Sequence, residues 1–334
     1  MNTVATAHRT VVAGSDASFT QDGHATMLAA ALAAGVRLPY ECASGGCGTC
    51  KARLIEGEVV SLWSEATGLS ERDQRKGDRI LTCQSVPVSD CVIAAVVDDD
   101  RGHVPEVRAQ PARVVRLDGL NQSTQVLELA IQTDMAYLAG QFVVITFPDG
   151  TRRAYSMSRR HASGEHLEVV VRAKPGGAAT AWLFETLAVG DEVMVEGPYG
   201  HAHLQSAVDR PILGVAGGSG LGPVLAVCEA AIEQSPHRPV HLYFGSRLTR
   251  DLFFHDRLRA LADVGAVVHT VVEQDPDSGH ERGLVGDVIV SSWADLTGFD
   301  VYMCGPKGMI DACLAQLIRT GLAQADRVFF DRFQ

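Results

Sequence analysis

Four cysteines in the first quarter of the chain have the spacing that most restricts how this sequence can fold. Cys42, Cys47 and Cys50 lie in one glycine-rich segment, and Cys83 follows after 32 intervening residues. Four thiolates must surround a compact metal centre. Here one curled loop would supply three of them and a distant turn the fourth. The spacing Cys-x4-Cys-x2-Cys…Cys is that of plant-type [2Fe–2S] clusters.

A zinc site is the alternative, because Cys-x2-Cys pairs are common in zinc proteins. Zinc sites usually combine two such pairs, whereas a single loop carries three cysteines here. Gly45, Gly46 and Gly48 would allow the loop to curl with its amide groups directed at sulfur. Cys91 lies eight residues beyond Cys83 in an apolar segment and is predicted to be a core residue. The pattern favours the cluster over zinc.

Charge and hydropathy restrict the partners. The chain has 29 Lys and Arg against 40 Asp and Glu, a formal net charge of −11. An acidic chain is a poor match for nucleic acid or an anionic membrane, both of which need a basic face. No apolar run approaches the ~20 residues of a membrane span, and the N-terminus lacks a secretory core. We therefore expect a cytoplasmic protein whose eight cysteines serve metal or redox chemistry rather than disulfides.

The pattern of apolar and polar residues changes at two places along the chain, which indicates three domains. A charged run ending at Pro105 indicates the end of a first domain. Between Pro111 and about Val195, apolar and polar residues alternate between turn signals, which predicts a small antiparallel barrel. From Arg210 onward, strands alternate with longer helical segments, which predicts a parallel sheet. The predicted domains are 1–103, 104–208 and 209–334.

Several elements can be predicted individually. In the first domain we expect an edge strand at 10–13, a helix at 26–34 and a short helix opened by Ser70 with a capping-box pattern. In the third domain the predicted strands are 212–216, 240–244, 267–272, 301–304 and 328–330, and the predicted helices are 223–234, 250–262 and 308–320.

Two glycine-rich turns of the third domain suit a nicotinamide coenzyme. The first strand leads into Gly217, Gly218, Ser219 and Gly220 before a helix that contains Pro223. Such a turn lets the coenzyme backbone approach closely and sets its phosphates at a helix N-terminus. A second turn contains Cys304, Gly305, Pro306 and Met309; the alternative there is a buried thiol beside an ordinary turn. Ser246 and Arg247 follow the second strand, where Arg247 could contact NADH or the 2′-phosphate of NADPH, and Glu273 is a candidate ribose partner.

A one-electron cluster cannot accept a hydride, so a flavin is expected between it and a nicotinamide. On a strand, Arg153 and Tyr155 share one face and Ser156 points oppositely. That face can supply a phosphate clamp and an aromatic wall. Taken alone, Arg153 is better explained as a surface residue of a barrel strand, and it is the combination with a second motif about 20 residues later that favours a flavin. A second turn after Arg172, containing Gly176, Gly177, Ala178, Ala179 and Thr180, could bind a pyrophosphate with backbone amides.

These motifs resemble known families. The first domain resembles plant-type ferredoxins in the segments 38–42 and 81–84. The segment 153–156 resembles the Arg-x-Tyr-Ser motif of the ferredoxin–NADP reductase superfamily, and 304–309 resembles its Cys-Gly-Pro-x-x-Met motif. The resemblance implies a multidomain chain of α+β and α/β class: a β-grasp ferredoxin, an antiparallel six-stranded flavin-binding β-barrel and a Rossmann-like parallel α/β nicotinamide domain.

The resemblance also implies roles for individual residues. The cluster would be bound by Cys42, Cys47, Cys50 and Cys83. The catalytic pair would be Ser156, near the flavin N5, and Cys304, which would face the reacting carbon of nicotinamide. The aromatic C-terminus is expected to form a lid over the flavin, against the alternative of a last strand that ends at Phe330 with a loose tail. The implied FAD residues are Arg153, Ala154, Tyr155, Ser156, Arg172, Gly176, Gly177, Ala178, Ala179, Thr180 and Phe333, and the implied NADH residues are Gly217, Gly218, Ser219, Gly220, Pro223, Ser246, Arg247, Cys304, Gly305, Pro306 and Met309.

Taken whole, the chain resembles the reductase components of bacterial multicomponent oxygenases. Within them it looks most like the toluene, phenol and alkene mono-oxygenase reductases, notably at 54–59 and 330–333. This implies a monomeric enzyme that passes electrons from NADH through FAD and a [2Fe–2S] cluster to a Rieske ferredoxin or a di-iron hydroxylase. A reductase of a ring-hydroxylating Rieske dioxygenase is the alternative within enzymes. A non-catalytic redox sensor and a flavin-free NADH-binding ferredoxin are alternatives of other classes.

Overall fold

The computed structural model describes residues 6–21, 23, 25–98, 106–147, 150–159, 164–174, 176, 178–205, 208–275 and 279–333, without the side chains of 178–180. By its contacts the chain divides into two compact units. The first comprises 1–111, 143–154 and 193–199, and the second comprises 112–142, 155–192 and 200–334. The predicted boundary at 103/104 lies outside the described residues, so the three predicted domain ranges stay a prediction.

The N-terminal part is a five-stranded sheet with the order β2-β1-β7-β3-β5 and a separate β4–β6 pair. The β1 strand pairs antiparallel with β2 and parallel with β7, as in a β-grasp fold. The prediction of an edge strand at 10–13 is therefore wrong, because β1 lies inside the sheet. The elements are β1 His8–Val12, β2 Ser18–Gln21, α1 Met27–Ala33, β3 Lys51–Glu56, β4 Val59–Ser61, α2 Glu71–Lys76, β5 Arg79–Leu81, β6 Ser85–Pro87 and β7 Cys91–Ala94.

Both helices of this part begin at residues that favour that position, and α2 also ends at one. The Thr26 hydroxyl accepts a hydrogen bond from the Ala29 amide at 3.2 Å, which satisfies one free donor at the start of α1. In α2, Ser70 and Asp73 form a complete capping box, and Gly77 ends the helix in the left-handed region with φ 71°. The predicted short helix with its capping-box start is confirmed.

Six strands form a closed barrel with the order β10-β11-β12-β9-β8-β13. The predicted antiparallel six-stranded barrel is thus confirmed. In β9 the apolar side chains of Leu127, Leu129 and Ile131 are buried, in keeping with the alternation of the sequence. The elements are β8 Arg108–Asn121, β9 Thr124–Ile131, β10 Phe142–Thr146, β11 Arg152–Arg159, β12 His166–Arg172, α3 Ala178–Glu185 and β13 Glu192–Tyr199.

The C-terminal part is a six-stranded parallel sheet with the order β17-β16-β15-β14-β18-β19. The predicted parallel sheet with helical connections is confirmed, although α5 begins five residues later than the predicted 250 because a 3-10 turn occupies Thr249–Asp251. The elements are β14 Ile212–Gly217, α4 Leu221–Gln234, β15 Val240–Ser246, α5 His255–Asp263, β16 Val267–Val272, β17 Glu281–Arg282, α6 Val285–Ser292, β18 Asp300–Pro306, α7 Lys307–Arg319 and β19 Val328–Phe333.

The strand order creates a crevice at one point of this sheet. From β14 the chain continues through α4 to β15 on one side, while β18 pairs with β14 on the other. The carboxyl ends of β14 and β18 therefore flank a topological switch point, where open α/β sheets bind ligands. The last strand, β19, stays paired as far as Phe333, which lies opposite Pro306. The alternative of a loose tail after Phe330 is wrong.

No helix within the described part of the chain combines the length and apolarity needed to cross a membrane.

Candidate redox centres

The four predicted cluster ligands lie together as two pairs of sulfurs. The Sγ atoms of Cys50 and Cys83 are 3.2 Å apart, and the side chains of Cys42 and Cys47 interact closely enough to shift each other's pKa. Their interaction lowers the pKa of Cys42 to about 5 and raises the pKa of Cys47. A thiolate is the form that binds a metal.

Backbone amides of the loop point at these sulfurs. The Cys47 amide donates to the Cys42 Sγ and the Thr49 amide to the Cys47 Sγ, both at 3.4 Å. Gly45 and Gly48 adopt positive φ angles of 90° and 81°, which a loop curled in this way requires, whereas Gly46 does not. Such amide donors stabilise the charge of thiolates and of a bound cluster.

The loop that contains Gly68 packs against the cysteine loop, a contact that the sequence analysis did not predict. The Gly68 amide donates to the Gly45 carbonyl at 3.0 Å. A Cβ on Gly48 would lie only 2.6 Å from the Gly68 carbonyl oxygen, so the two loops touch through bare backbone. The only sequence signal was Gly68 itself, because the contact joins segments about 20 residues apart.

The sulfur arrangement fits a two-iron centre. Two sulfur pairs suit a [2Fe–2S] cluster, in which each iron takes two protein ligands. All eight cysteines are free thiols, and Cys91 is buried, as predicted for a core residue.

The crevice at the switch point holds a cavity of about 340 Å3, within the range of small-molecule sites. Its lining includes six of the predicted NADH residues, together with Glu273. The other five predicted NADH residues do not line it: Ser219, Gly220, Pro223, Cys304 and Gly305. The six are Gly217, Gly218, Ser246, Arg247, Pro306 and Met309.

Bare glycines bring the two turns of this crevice together. A Cβ on Gly220 would overlap the Cys304 carbonyl, and one on Gly217 would overlap the Met309 sulfur. A Cβ on Gly222 would lie 2.8 Å from the Ser158 Cβ, so helix α4 also approaches strand β11 closely. The glycines are needed here for contact between backbones, in addition to any approach of a coenzyme.

The two predicted catalytic residues are neighbours. The Ser156 hydroxyl, buried on β11, interacts with the sulfur of Cys304 at the end of β18 and acts to lower the pKa of that thiol. Burial raises the pKa of the Cys304 thiol well above its ordinary value, and the nearby Asp331 raises it further. Cys304 therefore remains a neutral thiol at physiological pH.

Other predicted flavin residues are spread over several elements. The Arg153 guanidinium lies 5.0 Å from the centre of the Trp63 ring and donates to the Arg152 carbonyl at 2.8 Å. Ala154 and Tyr155 follow it on β11 and are half-buried. Phe333 ends β19 and packs against the core that contains Cys304. Of the glycine turn, Gly176 is described, Gly177 lies outside the described residues, and Ala178, Ala179 and Thr180 begin α3.

Arg172, one of the predicted flavin residues, lies beside the glycine turn of the nicotinamide part. Its Nη1 is 2.9 Å from the position of a Cβ on Gly218, and the residue lines the cavity. Asn121, Ser123 and Thr124, from the β8–β9 hairpin, line the same cavity and were missed by sequence reasoning. A polar hairpin gives no local signal of what it faces.

Comparisons with known proteins agree with this geometry. Residues 10–88 match the 2Fe-2S iron-sulfur cluster binding domain, 111–204 the oxidoreductase FAD-binding domain and 215–314 the oxidoreductase NAD-binding domain. The chain is 43% identical over 320 residues to the ferredoxin–NAD(+) reductase component of an alkene monooxygenase system from Xanthobacter autotrophicus, covering 95% of this chain and 98% of that protein. This chain belongs to the reductase components of bacterial multicomponent oxygenases.

Two further members of the family support this. The reductase component of phenol 2-monooxygenase from a Pseudomonas species is 33% identical, covering 94% of this chain and 90% of that protein. A solved ferredoxin reductase in carbazole 1,9a-dioxygenase has a TM-score of 0.89 and 32% identity, covering 98% of this chain and 99% of that one. The protein is thus an iron–sulfur flavoprotein oxidoreductase that carries electrons from NADH through FAD and a [2Fe–2S] cluster to an oxygenase system.

Proposed function

We propose that this reductase serves a mono-oxygenase of the alkene- or aromatic-oxidising kind, as a monomer in the cytoplasm. Its ferredoxin part hands electrons to a Rieske ferredoxin or directly to a di-iron hydroxylase. The 43% identity over nearly the whole length of an alkene monooxygenase reductase component carries the proposal. The overall similarity to the carbazole dioxygenase reductase favours a Rieske dioxygenase as the second candidate.

The proposal assigns the cluster to Cys42, Cys47, Cys50 and Cys83, whose paired sulfurs support it. FAD accepts two electrons together as a hydride and releases them singly, which is the chemistry required between NADH and a one-electron acceptor. The interaction between Ser156 and Cys304 supports their assignment as the pair at which flavin and nicotinamide meet. A neutral thiol at this position adds no charge that would oppose hydride transfer.

The remaining assignments follow the same logic. The cavity residues Gly217, Gly218, Ser246 and Arg247 would hold NADH, and Arg172, beside Gly218, is well placed to reach its phosphates. Arg153, Tyr155 and Phe333 would hold FAD, with Arg153 on the pyrophosphate. A guanidinium is suited to that task because it forms two parallel hydrogen bonds with phosphate oxygens.

Arg153→Gln is expected to weaken FAD binding by about 10–100-fold, because a charge-assisted hydrogen bond contributes ~1.5–3 kcal/mol. FAD release measured by fluorescence at equilibrium checks this. Arg159→Gln is the matched control, since Arg159 lies on the same strand with an exposed side chain. Equal FAD affinity in the two variants would contradict the role of Arg153.

Glu273→Gln is expected to reduce the preference for NADH over NADPH by about tenfold in kcat/KM, because a carboxylate beside the adenosine ribose would repel a 2′-phosphate. Steady-state ferricyanide reduction with each coenzyme measures the ratio. Glu233→Gln, on the exposed face of α4, is the control. An unchanged ratio in Glu273→Gln would exclude this residue as the discriminating group.

Reconstitution tests the acceptor. The reductase is mixed with purified di-iron hydroxylase, with or without the Rieske ferredoxin, from an alkene monooxygenase system, and NADH-dependent epoxide is measured. The proposal predicts turnover with at least one mixture. Residues 1–103 contain 13 Asp and Glu against 9 Lys and Arg, so the rate should change with ionic strength. Turnover only with a Rieske dioxygenase system would overturn the mono-oxygenase assignment in favour of the second candidate.

A further inference from the structure

A buried arginine lies beside the proposed cluster and belongs to no motif. Arg152, the first residue of β11, is 8% exposed. Its Nη1 donates to the backbone carbonyl of Cys83 at 3.1 Å. Cys83 is the fourth cluster ligand proposed above, so a positive charge is hydrogen-bonded directly to the backbone of a ligand.

A carboxylate holds the other side of the same guanidinium. Arg152 Nη2 forms an ion pair with Glu196 Oε1, and the Tyr199 hydroxyl donates to that same oxygen at 2.5 Å. The Glu196 side chain is also largely buried, at 12% exposed. Burying an ion pair is costly unless both partners are well hydrogen-bonded, and replacing such a pair by apolar residues is often neutral or stabilising. Stability alone therefore does not explain this pair.

The network also reaches the cysteine loop. The Tyr199 ring packs edge-on against Tyr40, with ring centres 5.7 Å apart, and Tyr40 lies two residues before Cys42. The group Arg152, Glu196, Tyr199 and Tyr40 thus contacts both chain segments that supply ligands. Arg153, the next residue along β11, is the proposed clamp of the FAD pyrophosphate. Neighbouring residues on a strand face opposite sides, so Arg152 and Arg153 have different contacts: Arg152 the Cys83 carbonyl, Arg153 the Trp63 ring.

We propose that Arg152 is a positioning and tuning residue for electron transfer, which fixes the Cys83 ligand and raises the reduction potential of the [2Fe–2S] cluster. Accepting an electron adds one negative charge to the cluster. A guanidinium at the ligand stabilises that charge, and the potentials of such clusters depend on net charge and hydrogen bonding nearby. Glu196 opposes this effect, because its negative charge partly neutralises Arg152. The pair therefore sets the potential through a balance of two charges.

Opposite signs for the two single variants distinguish tuning from a structural role. Arg152→Gln is expected to move the cluster potential to a more negative value, reducing the ratio of reduced to oxidised cluster at a fixed potential by roughly tenfold, the equivalent of one charged hydrogen bond. Glu196→Gln is expected to move the potential to a more positive value. The double variant, with a neutral amide pair, should return close to the wild-type potential. Arg113→Gln, an exposed arginine on barrel strand β8, is the control and should have no effect.

An anaerobic redox titration of the holoprotein, followed by the EPR signal of the reduced cluster, measures these potentials. Shifts of the same sign in both single variants, or no shift in either, would overturn the tuning role. If Arg152→Gln fails to retain the cluster, Glu196→Gln alone still tests the tuning role. A cluster potential in Glu196→Gln that is not more positive than that of the wild type would contradict the proposal. The inference rests on Cys83 as a ligand: a wild-type protein without the signal would refute the proposed cluster site, whereas a normal signal with unshifted variants would refute only Arg152.

Discussion

Cys83→Ser leaves NADH able to bleach the flavin but removes the cluster's EPR signal. Reduction of cytochrome c should slow by at least about 100-fold, since losing even an outer partner of a metal ligand costs ~10–100-fold. The reason is that Cys83 supplies one of the two sulfurs of the buried Cys50–Cys83 pair, 3.2 Å apart, and a serine hydroxyl is a poor substitute for a thiolate. Ferricyanide, which a reduced flavin can reduce directly, should still be consumed at close to the wild-type rate.

Cys91→Ser is the matched control for this substitution. Cys91 is equally buried in the same part of the chain, but its thiol donates to the carbonyls of Glu58 and Ser89, at 3.7 and 3.3 Å. A serine there can keep a hydrogen bond to a carbonyl, so cluster content and cytochrome c reduction should be preserved. A full EPR signal in Cys83→Ser, or its loss in Cys91→Ser, would contradict the assignment of the four ligands.

Gly220→Ala should slow reduction of the flavin by NADH by at least about tenfold and lower the melting temperature, because overpacking of this kind costs ~1–3 kcal/mol or more. The added Cβ would overlap the Cys304 carbonyl, which is backbone and cannot rotate away. The two turns at the ends of β14 and β18 would have to separate, and this would displace Cys304 from Ser156. Stopped-flow absorbance at the flavin band measures the rate, and calorimetry measures the stability.

Gly298→Ala provides the comparison for the second prediction. Gly298 lies in the turn that precedes β18, does not line the cavity, and a Cβ there meets nothing within 4 Å. Alanine also restricts the unfolded chain more than glycine does, so stability should be equal or higher. If Gly220→Ala transfers hydride as fast as Gly298→Ala, the close contact between the two turns does not matter for the reaction.

The sequence was most informative where function requires a local pattern. The cysteine spacing, the capping box at Ser70 and Asp73, and the glycine turn at 217–220 are each encoded within a few residues. The antiparallel barrel and the parallel sheet followed from periodicity. Short elements were missed: β17 has only two residues, and α6 contains β-branched valines with low helix propensity.

Contacts between distant segments were the other part that the sequence could not reveal. Nothing local distinguishes Arg152, which contacts the Cys83 carbonyl, from Arg153 beside it. The local sequence likewise does not reveal that Gly68 contacts the cysteine loop or that Arg172 lies beside Gly218. These residues are defined by which strands and loops meet, and a single sequence carries that information only through the completed fold.

An anaerobic titration of the purified protein with NADH, followed by visible absorbance and low-temperature EPR, tests the electron path most directly. We expect the flavin band to bleach and a rhombic EPR signal from one reduced [2Fe–2S] cluster per chain to develop. Bleaching of the flavin without that signal would mean that Cys42, Cys47, Cys50 and Cys83 do not hold a cluster, and the proposed path from nicotinamide to oxygenase would be wrong.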